Sequence, residues 1–487
     1  MNNLNLRKFI TYDEVGMGQN QFRCFYMTFH PSNGKLIIHE GHSGKVYAEE
    51  KLIYSYEVLG KLPKAGGDTH GAITNSKDLV FFGGWLKAPP GLLVSSDRTL
   101  VKQDMREKYS HIHAIDDKDR VELLWSRKWD DKIPPNHWYG EVTDLVYDGH
   151  ENTLYFSRAD GHAELGLWKL SLGDRKAEWI IKDRTVYKLE IKDDKIFGTV
   201  FNPAHFENSS IVVYDMIENK SKIVEEFEFG INLDDKIKIK RDGGQIVQLQ
   251  NKLISFYGGA LVVSDPYKDK HTLYPFLEVI NNESERPSYI PGLRTQKVYL
   301  MGIPIIGVNP SEGLTEPTLR TTVSMILRVD PVVPQIISIS GFISGIVSDG
   351  YNVYFGTSYA NHSPAYTYRS GEGKIYAIRT RELMSNAWNA IRIWIFDGSY
   401  VKGNTGIKGW FGGIPLKGFT NKKLRVFTDE STNLNICEYN LLSKVVEDHI
   451  HLREGWNTVD LSSYYDLLAF SFDENIKRIK MEIILDP

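Results

Sequence analysis

Residues 143–157 of the chain read TDLVYDGHENTLYFS, two apolar runs joined by a polar turn. The runs LVY (145–147) and LYF (154–156) combine Leu, Val and aromatic residues, which favour β-strands. Between them lie Asp148-Gly149 and Asn152, residue types that accept the positive φ angles of a tight turn. The stretch therefore predicts a β-hairpin.

The second half of this hairpin belongs to a repeat that covers the first 380 residues. A polar residue, then β-branched, Leu or aromatic residues and, in most copies, a small residue recur seven times, 42 to 75 residues apart. The copies begin at Lys35, Asp78, Thr153, Lys195, Lys252, Lys297 and Asn352. Third strands with an aromatic residue follow at 45–48, 111–115, 167–170 and 374–378, and fourth strands at 121–125, 178–181 and 273–276. Four antiparallel strands repeated about every 40–50 residues are typical of β-propeller blades.

The repeat and its end define the expected domains. We expect an all-β protein, with a seven-bladed β-propeller over residues 1–400 and a small, jelly-roll-like β-sandwich over residues 401–487. The C-terminal part has strand patterns but not the repeat, and the Gly-rich stretch 403–413 is the expected joint. The outer strand of the seventh blade, which removes an open sheet edge, could come from residues 392–396 or from residues 6–12.

Composition excludes several classes of protein. Lys and Arg number 58 against 62 Asp and Glu, a net charge of −4, which argues against a polyanion binder, so no nucleic-acid partner is expected. The charged run at 234–241, DDKIKIKR, alternates and indicates an exposed strand. Apolar runs are too short to span a membrane. Two cysteines, Cys24 and Cys437, exclude a disulfide framework and favour a cytoplasmic location.

Function is expected at one end of the propeller. The loops between second and third strands, and those leading into first strands, share one face, and loops on a rigid scaffold usually carry function. Here they are long and rich in aromatic, His and Arg residues. The candidate ligand-binding residues are His70, Trp85, His137, Trp138, Tyr139, Arg158, His162, Asn202, His205, Arg294, Tyr359, His362 and Tyr366.

Three functions fit this face. The leading hypothesis is a binding protein for a small polar ligand, with a glycan favoured, because aromatic rings stack on sugars while Arg158, Arg294 and Arg369 could pair with an anionic group. The first alternative is a hydrolase of glycosidic or ester bonds, which needs paired carboxylates. Its acid–base candidates are Asp68, Glu141 and Asp160. The second alternative is a protein-interaction scaffold, with a protein partner. The sequence leaves the cofactor unknown.

Histidine spacing raises the question of a metal. His111 and His113 lie on one side of a strand, a usable ligand spacing. However, His113 takes the repeat position of aromatic residues such as Tyr47 and Trp168, which indicates packing, and no metal is predicted there. A metal held by histidines from several blades stays open.

One motif resembles a known family. DTHGAI at 68–73, followed by FFGGW at 81–85 and Ala88-Pro89, resembles an archaeal β-propeller family, domain of unknown function 2139. The resemblance implies a soluble archaeal propeller and brings no established activity. The Ile- and Lys-rich strands are compatible with a thermophilic source.

Overall fold

The computed structural model describes residues 7–12, 25–40, 44–55, 72–86, 106, 108–182, 184–200, 208–281, 289–310, 324–340, 342–358, 373–385, 390–442 and 444–487. This part of the chain is all-β, in many small and mostly antiparallel sheets. One short helix, α1 (Thr380–Leu383), occurs among the described residues, and none of their helices could cross a membrane.

The first sheets follow the repeat. We number them in chain order, after the N-terminal strand β1 (Arg7–Tyr12). Sheet 1 holds β2 (Phe25–Phe29), β3 (Leu36–Glu40), β4 (Lys45–Ala48) and β5 (Lys51–Ser55). Sheet 2 holds β6 (Ala72–Asn75), β7 (Val80–Leu86), β8 (Tyr109–Ile115) and β9 (Val121–Lys128). Sheet 3 holds β10 (Glu141–Asp148), β11 (Thr153–Ala159), β12 (Gly166–Ser171) and β13 (Ala177–Ile181). Sheet 4 holds β14 (Leu189–Lys192), β15 (Lys195–Thr199), β16 (Ile211–Asp215) and β17 (Lys220–Val224).

The next three sheets are less regular. Sheet 5 has six strands, β18 (Phe227–Phe229), β19 (Asn232–Ile237), β20 (Gly243–Leu249), β21 (Lys252–Tyr257), β22 (Ala260–Asp265) and β23 (Lys270–Pro275). After β24 (Ile280–Asn281), sheet 6 holds β25 (Tyr289–Pro291), β26 (Lys297–Leu300), β27 (Ile303–Pro310), β28 (Ser324–Arg328) and β29 (Gln335–Ser340). Sheet 7 holds β30 (Phe342–Ser348), β31 (Asn352–Ser358) and β32 (Gly373–Arg379), together with β1.

These seven sheets form a closed, propeller-like ring. The first strand of each sheet contacts the first strand of the next sheet along the chain. The order of these contacts is β2, β6, β10, β14, β20, sheet 6 (through β25–β27) and β30, and β30 in turn contacts β2. The ring is closed by β1, which pairs antiparallel with β32 from Arg7 opposite Ala377 to Tyr12 opposite Gly373. Of the two segments that the sequence offered for this position, the N-terminal one therefore supplies the outer strand.

The repeat identifies most second strands correctly. Six copies fall on β3, β7, β11, β15, β21 and β31. The copy beginning at Lys297 falls instead on β26, a first strand, because the hairpin to β27 has the same apolar pattern on both arms. In the turn at 148–152 the positive φ angle occurs at Asn152 (48°) and not at Gly149, and the corresponding turn of sheet 7 has φ 90° at Gly350.

The C-terminal strands form two further sheets. They are β33 (Ile391–Tyr400), β34 (Phe411–Pro415), β35 (Asn421–Thr428), β36 (Thr432–Tyr439), β37 (Lys444–Leu452), β38 (Gly455–Asp460), β39 (Leu467–Phe472) and β40 (Ile476–Asp486). Sheet 8 has the order β34-β39-β36-β37, and sheet 9 has the order β24-β33-β40-β35-β38. Strand β33 pairs with β40, and β24, which follows sheet 5 in the chain, pairs with β33 in parallel, so the chain passes from sheet 5 into sheet 9 before it enters sheet 6.

Sheets 8 and 9 pack on sheet 5 without a break in the core. One buried apolar cluster includes Phe256 and Phe276 from the ring together with Phe411 and Phe470 from sheet 8. At Gly413, which has φ +64°, an added Cβ would lie 2.2 Å from the Pro275 carbonyl oxygen. The Gly-rich stretch predicted as the joint thus lies at this contact, where only glycine leaves room for the backbone.

Candidate functional site

Three segments predicted to share one face lie against each other. They are the adjoining ends of β7 and β8, the segment leading into β10, and the β11–β12 loop. The Gly140 amide donates to the Ala163 carbonyl (2.9 Å), and the His162 amide donates to the Trp138 carbonyl (2.9 Å). At Gly161 an added Cβ would lie 2.6 Å from the Gly140 Cα, so the two loops touch backbone to backbone. We call Trp85, Lys108, residues 137–141 and residues 158–164 the loop cluster.

The centre of the loop cluster is a buried ion pair. Lys108 Nζ binds the Glu141 carboxylate, and the two side chains are only 6% and 2% exposed. The same ammonium lies 4.2 Å from the centre of the Trp85 ring and 4.5 Å from that of Trp138. A buried charge is tolerated when it is paired, and the two ring faces add cation–π attraction. The pair therefore holds both tryptophans in place.

Aromatic rings cover this pair. His137 and His162 stack with their ring centres 4.2 Å apart and 12° between planes, and Trp138 meets His162 edge-on at 4.3 Å. The Trp138 indole Nε1 donates to the Asp160 carbonyl (2.6 Å). Trp85, His137, Trp138 and His162 are all half-buried, so each of these residues keeps some accessible surface.

Arg158 supports the loops from below. Its guanidinium is fully buried, donates to the Gly140 carbonyl (3.0 Å) and to Glu164 (3.0 Å), and lies between the rings of Trp125 and Trp168, about 5 Å from each. Burial lowers the pKa of Arg158 to about 10, although Glu164 acts in the opposite direction. The sequence predicted that Arg158 meets an anionic ligand group, but its burial instead favours a role in holding Gly140 in place.

Tyr139 is also inward-facing. Its side chain is 5% exposed, and its hydroxyl donates to the Asp130 carboxylate (2.5 Å) while Arg127 lies over its ring at 4.0 Å. Burial, together with the bond to Asp130, raises the pKa of Tyr139 to about 12. Of the predicted ligand-binding residues, Tyr139 and Arg158 are therefore placed to support the site, whereas the half-buried rings form its accessible part.

The remaining predicted residues divide into two groups. Arg294 lies ahead of β26, where its amide donates to the Tyr187 hydroxyl (3.0 Å). The others lie outside the described residues, namely Asp68, His70, Asn202, His205, Tyr359, His362, Tyr366 and Arg369.

The histidine pair on β8 packs as the repeat predicts. His113 stacks on Phe82 with 5.1 Å between ring centres and 6° between planes, and its Nδ1 lies 2.8 Å from Nδ1 of His111. Within the described ranges, no three His, Cys, Asp or Glu side chains are grouped as a metal site would require. A site that recruits His70, His205 or His362 falls outside those ranges.

Sequence reasoning missed Lys108. The residue comes directly before β8, at the end of a long segment that also contains Lys87 and Lys102, and no local pattern separates the three lysines. Glu141 follows Gly140, where two loops touch, and only its position in the folded chain shows that Lys108 is the lysine that pairs with it.

The chemistry of the loop cluster follows from these pairings. Two of its carboxylates are held by cations, Glu141 by Lys108 and Glu164 by Arg158 and Arg127. The half-buried residues of the loop cluster are mostly aromatic, so the cluster combines apolar rings with a few fixed polar groups. Such a surface suits a ligand with both apolar faces and hydroxyl groups.

Comparison with solved structures gives distant similarities. The extracellular domain of a hybrid two-component system from B. thetaiotaomicron matches with a TM-score of 0.42 and 14% identity, over 85% of this chain and 45% of that one. This chain therefore spans less than half the length of that domain. An exo-β-1,3-galactanase from Phanerochaete chrysosporium matches with a TM-score of 0.31 and 8% identity, over 88% and 98% of the two chains. An arabinoxylan arabinofuranohydrolase of glycoside hydrolase family 43 from Bacillus subtilis matches with a TM-score of 0.28 and 9% identity, over 85% and 94%.

Comparison of sequences identifies the family. No curated protein matches the chain. The profile of a family described as uncharacterised proteins conserved in archaea, domain of unknown function 2139, matches residues 36–322, which is more than half of the 487 residues. The motif at 68–73 and 81–85 lies inside this range. The chain belongs to this archaeal family.

Proposed function

We propose that the chain is a binding protein that takes a small polar ligand, with a glycan favoured, against the loop cluster. The observation that carries the proposal is the pair of half-buried tryptophans, Trp85 and Trp138, fixed by the buried Lys108–Glu141 ion pair beside the His137–His162 stack. Rings held in this way lose little conformational entropy on binding, so stacking on an apolar sugar face is favourable.

Binding fits the loop cluster better than hydrolysis does. A glycosidase needs one carboxylic acid to donate a proton and a second carboxylate as base or nucleophile. Here Glu141 and Glu164, the two carboxylates of the loop cluster whose contacts are described, are both engaged in ion pairs. The hydrolase stays the second candidate because Glu141 is a buried carboxylate beside accessible rings.

Calorimetric titration against a panel of neutral and acidic oligosaccharides tests the proposal. We expect Trp138→Ala to weaken binding of the best ligand by about tenfold or more, because loss of an aromatic stack costs roughly 1–3 kcal/mol. The control is Trp456→Ala, which removes a half-exposed tryptophan from β38. Binding of no sugar, or equal binding by both variants, would refute the proposal. Hydrolysis abolished by Glu141→Gln would favour the second candidate.

We further propose that the seven ring sheets are the blades of a seven-bladed β-propeller and that sheets 8 and 9 form a β-sandwich. The closed order of first-strand contacts supports the first part. The pairing of β33 with β40 supports a boundary near residue 390 for this proposal, ten residues before the expected residue 400. The propeller would then end with α1, and the sandwich would begin with β33.

A further inference from the structure

A cavity of about 430 Å³ lies between the outer edge of sheet 5 and a C-terminal loop, away from the loop cluster. Its walls are residues 236–241, the charged run of the sequence, and residues 406–408. Five of its nine lining residues are cations, and no carboxylate or aromatic residue is among the described lining residues. We call this cavity the basic groove.

The chain holds the wall of the basic groove in a fixed shape. Ile237 and Ile239 are buried while Lys236, Lys238 and Lys240 are exposed, so the three ammonium groups project to one side. Residues at alternate positions of an extended chain are roughly 6.5–7 Å apart. Ser209 fixes the end of the run, because its hydroxyl donates to the Arg241 carbonyl (2.7 Å) and its amide donates to the Ile239 carbonyl (2.8 Å).

The opposite wall carries one cation on a tight turn. The amides of Ile407 and Trp410 donate to each other's carbonyls at 2.8 and 3.0 Å, which closes a short loop around Lys408. Lys408 has φ 52°, a conformation that costs energy in a residue with a side chain, and its ammonium binds Asp235 (2.7 Å) across the groove. The two walls are therefore joined by an ion pair.

Cationic side chains outnumber carboxylates in and around the basic groove. Glu278 binds Arg241 (2.6 Å), Asp235 binds Lys408 (2.7 Å), and Glu225 and Glu226 lie 3.8 and 3.7 Å from Lys238. Arg184 shares Glu225. Two further carboxylates lie beside the run: Glu228, which is opposite Lys236 in the strand register and binds Lys270 (3.0 Å), and the exposed Asp234. With Lys270 and Arg184 included, seven cations face six carboxylates, and Lys236 and Lys240 form no ion pair with any residue in the described ranges.

We propose that the basic groove binds an oligoanion, a chain of phosphate or sulfate groups. Evenly spaced ammonium groups on an exposed edge match repeated oxyanions, and each contact is a charge-assisted hydrogen bond. The absence of an aromatic side chain among the described lining residues removes the surface on which nucleic-acid bases stack, so a chain without bases is favoured. The net charge of −4 describes the whole chain, whereas binding at this site depends on the five cations that line the basic groove.

Calorimetric titration of the full chain at low ionic strength tests this site with two probes, inorganic tripolyphosphate and a sulfated dextran oligosaccharide. We expect binding of at least one probe, and we expect Lys236→Gln with Lys240→Gln to weaken it by about tenfold or more. Both lysines are exposed, so the melting temperature should not change. Binding of tripolyphosphate alone identifies a phosphate chain, and binding of sulfated dextran alone identifies a sulfated glycan.

The matched control removes the same charge elsewhere. Lys118→Gln with Lys132→Gln changes two exposed turn lysines of the ring and should leave affinity for the probe unchanged. Binding of neither probe, or equal weakening in both double variants, would overturn the assignment. This test is independent of the test of the proposed function. Trp138→Ala should leave oligoanion binding unaltered. Lys236→Gln with Lys240→Gln should leave neutral-sugar binding unaltered.

Discussion

Lys108 and Glu141 are almost fully buried, at 6% and 2% exposure, so each charge depends on the other for compensation. Removing one partner leaves the other charge in a poorly solvated position, which typically costs about 3–5 kcal/mol. We expect Lys108→Met to lower the free energy of unfolding by about 3 kcal/mol, measured by chemical denaturation.

The double variant separates this cause from loss of packing. Lys108→Met with Glu141→Leu removes both charges, so its loss of stability should be smaller than that of Lys108→Met alone. A double variant that is less stable than the single one would show that packing on Trp85 and Trp138, rather than the unpaired carboxylate, sets the cost.

Glu278 makes stability depend on pH. The carboxylate is fully buried at the contact between sheet 5 and sheet 8, and this burial raises its pKa from 4.5 to about 7, while Arg241 acts in the opposite direction. The folded state therefore binds this proton more tightly than the unfolded state. Its contribution is fully present below pH 4.5 and is lost as pH rises towards 7.

We expect the free energy of unfolding to fall between about pH 5 and pH 7.5, and Glu278→Gln to remove that part of the slope. The shift corresponds to about 3 kcal/mol at most, since one pKa unit is worth about 1.4 kcal/mol. Denaturant unfolding at several pH values measures the slope. An unchanged slope in Glu278→Gln would assign it to other groups.

For single residues, the sequence predicts which loop carries a side chain but not whether that side chain faces outward or inward. The loop lengths and the repeat placed Trp85, Trp138 and His162 on one face, and the structure brings them into one cluster. Arg158 and Tyr139 come from the same loops but face inward. Their direction depends on the close approach of neighbouring loops at Gly140, a contact between distant segments that no local pattern shows.

Among the elements, the strand repeat was predictable and its irregularities were not. Alternating apolar residues and turn chemistry located the second strands of six sheets. They did not show that β18 and β19 extend sheet 5 to six strands, or that β26 precedes the expected position in sheet 6. Both depend on strand pairing, since an edge strand and an inner strand can have the same local pattern.

Strand β1 is the element whose removal should matter most for the ring. It pairs with β32 and covers a sheet edge that would otherwise expose unpaired amides and carbonyls. We expect deletion of residues 1–12 to lower the melting temperature by several degrees and to promote aggregation, measured by calorimetry and light scattering.

Deletion of residues 1–6 alone is the control for β1, because it shortens the chain but keeps the paired strand. The shorter deletion should melt like the full chain. Equal melting of the full chain and the deletion of residues 1–12 would mean that closure by β1 contributes nothing measurable.

At the scale of the molecule, the ring and the C-terminal sheets share one core. Tyr274 of β23 stacks on Tyr439 of β36 with 5.3 Å between ring centres and 7° between planes, and the Tyr439 hydroxyl binds the Pro275 carbonyl. The amides of Glu278 and Gly412 also donate to each other's carbonyls. Two domains were expected because the strand repeat ends near residue 380. The end of a sequence repeat does not indicate how tightly the two parts pack together.

A continuous core predicts that both parts unfold together. Separating them would expose fully buried apolar side chains such as Phe276 and Phe411, at a cost of roughly 25 cal/mol per Å² of apolar surface, so neither part gains by unfolding first. We expect a single calorimetric transition whose van't Hoff and calorimetric enthalpies agree. Tyr439→Ala should move that one peak to lower temperature without splitting it, because it weakens the junction for both parts at once. Two peaks in the unaltered protein, with only the one for sheets 8 and 9 shifted in Tyr439→Ala, would show that the parts are independent despite the shared core.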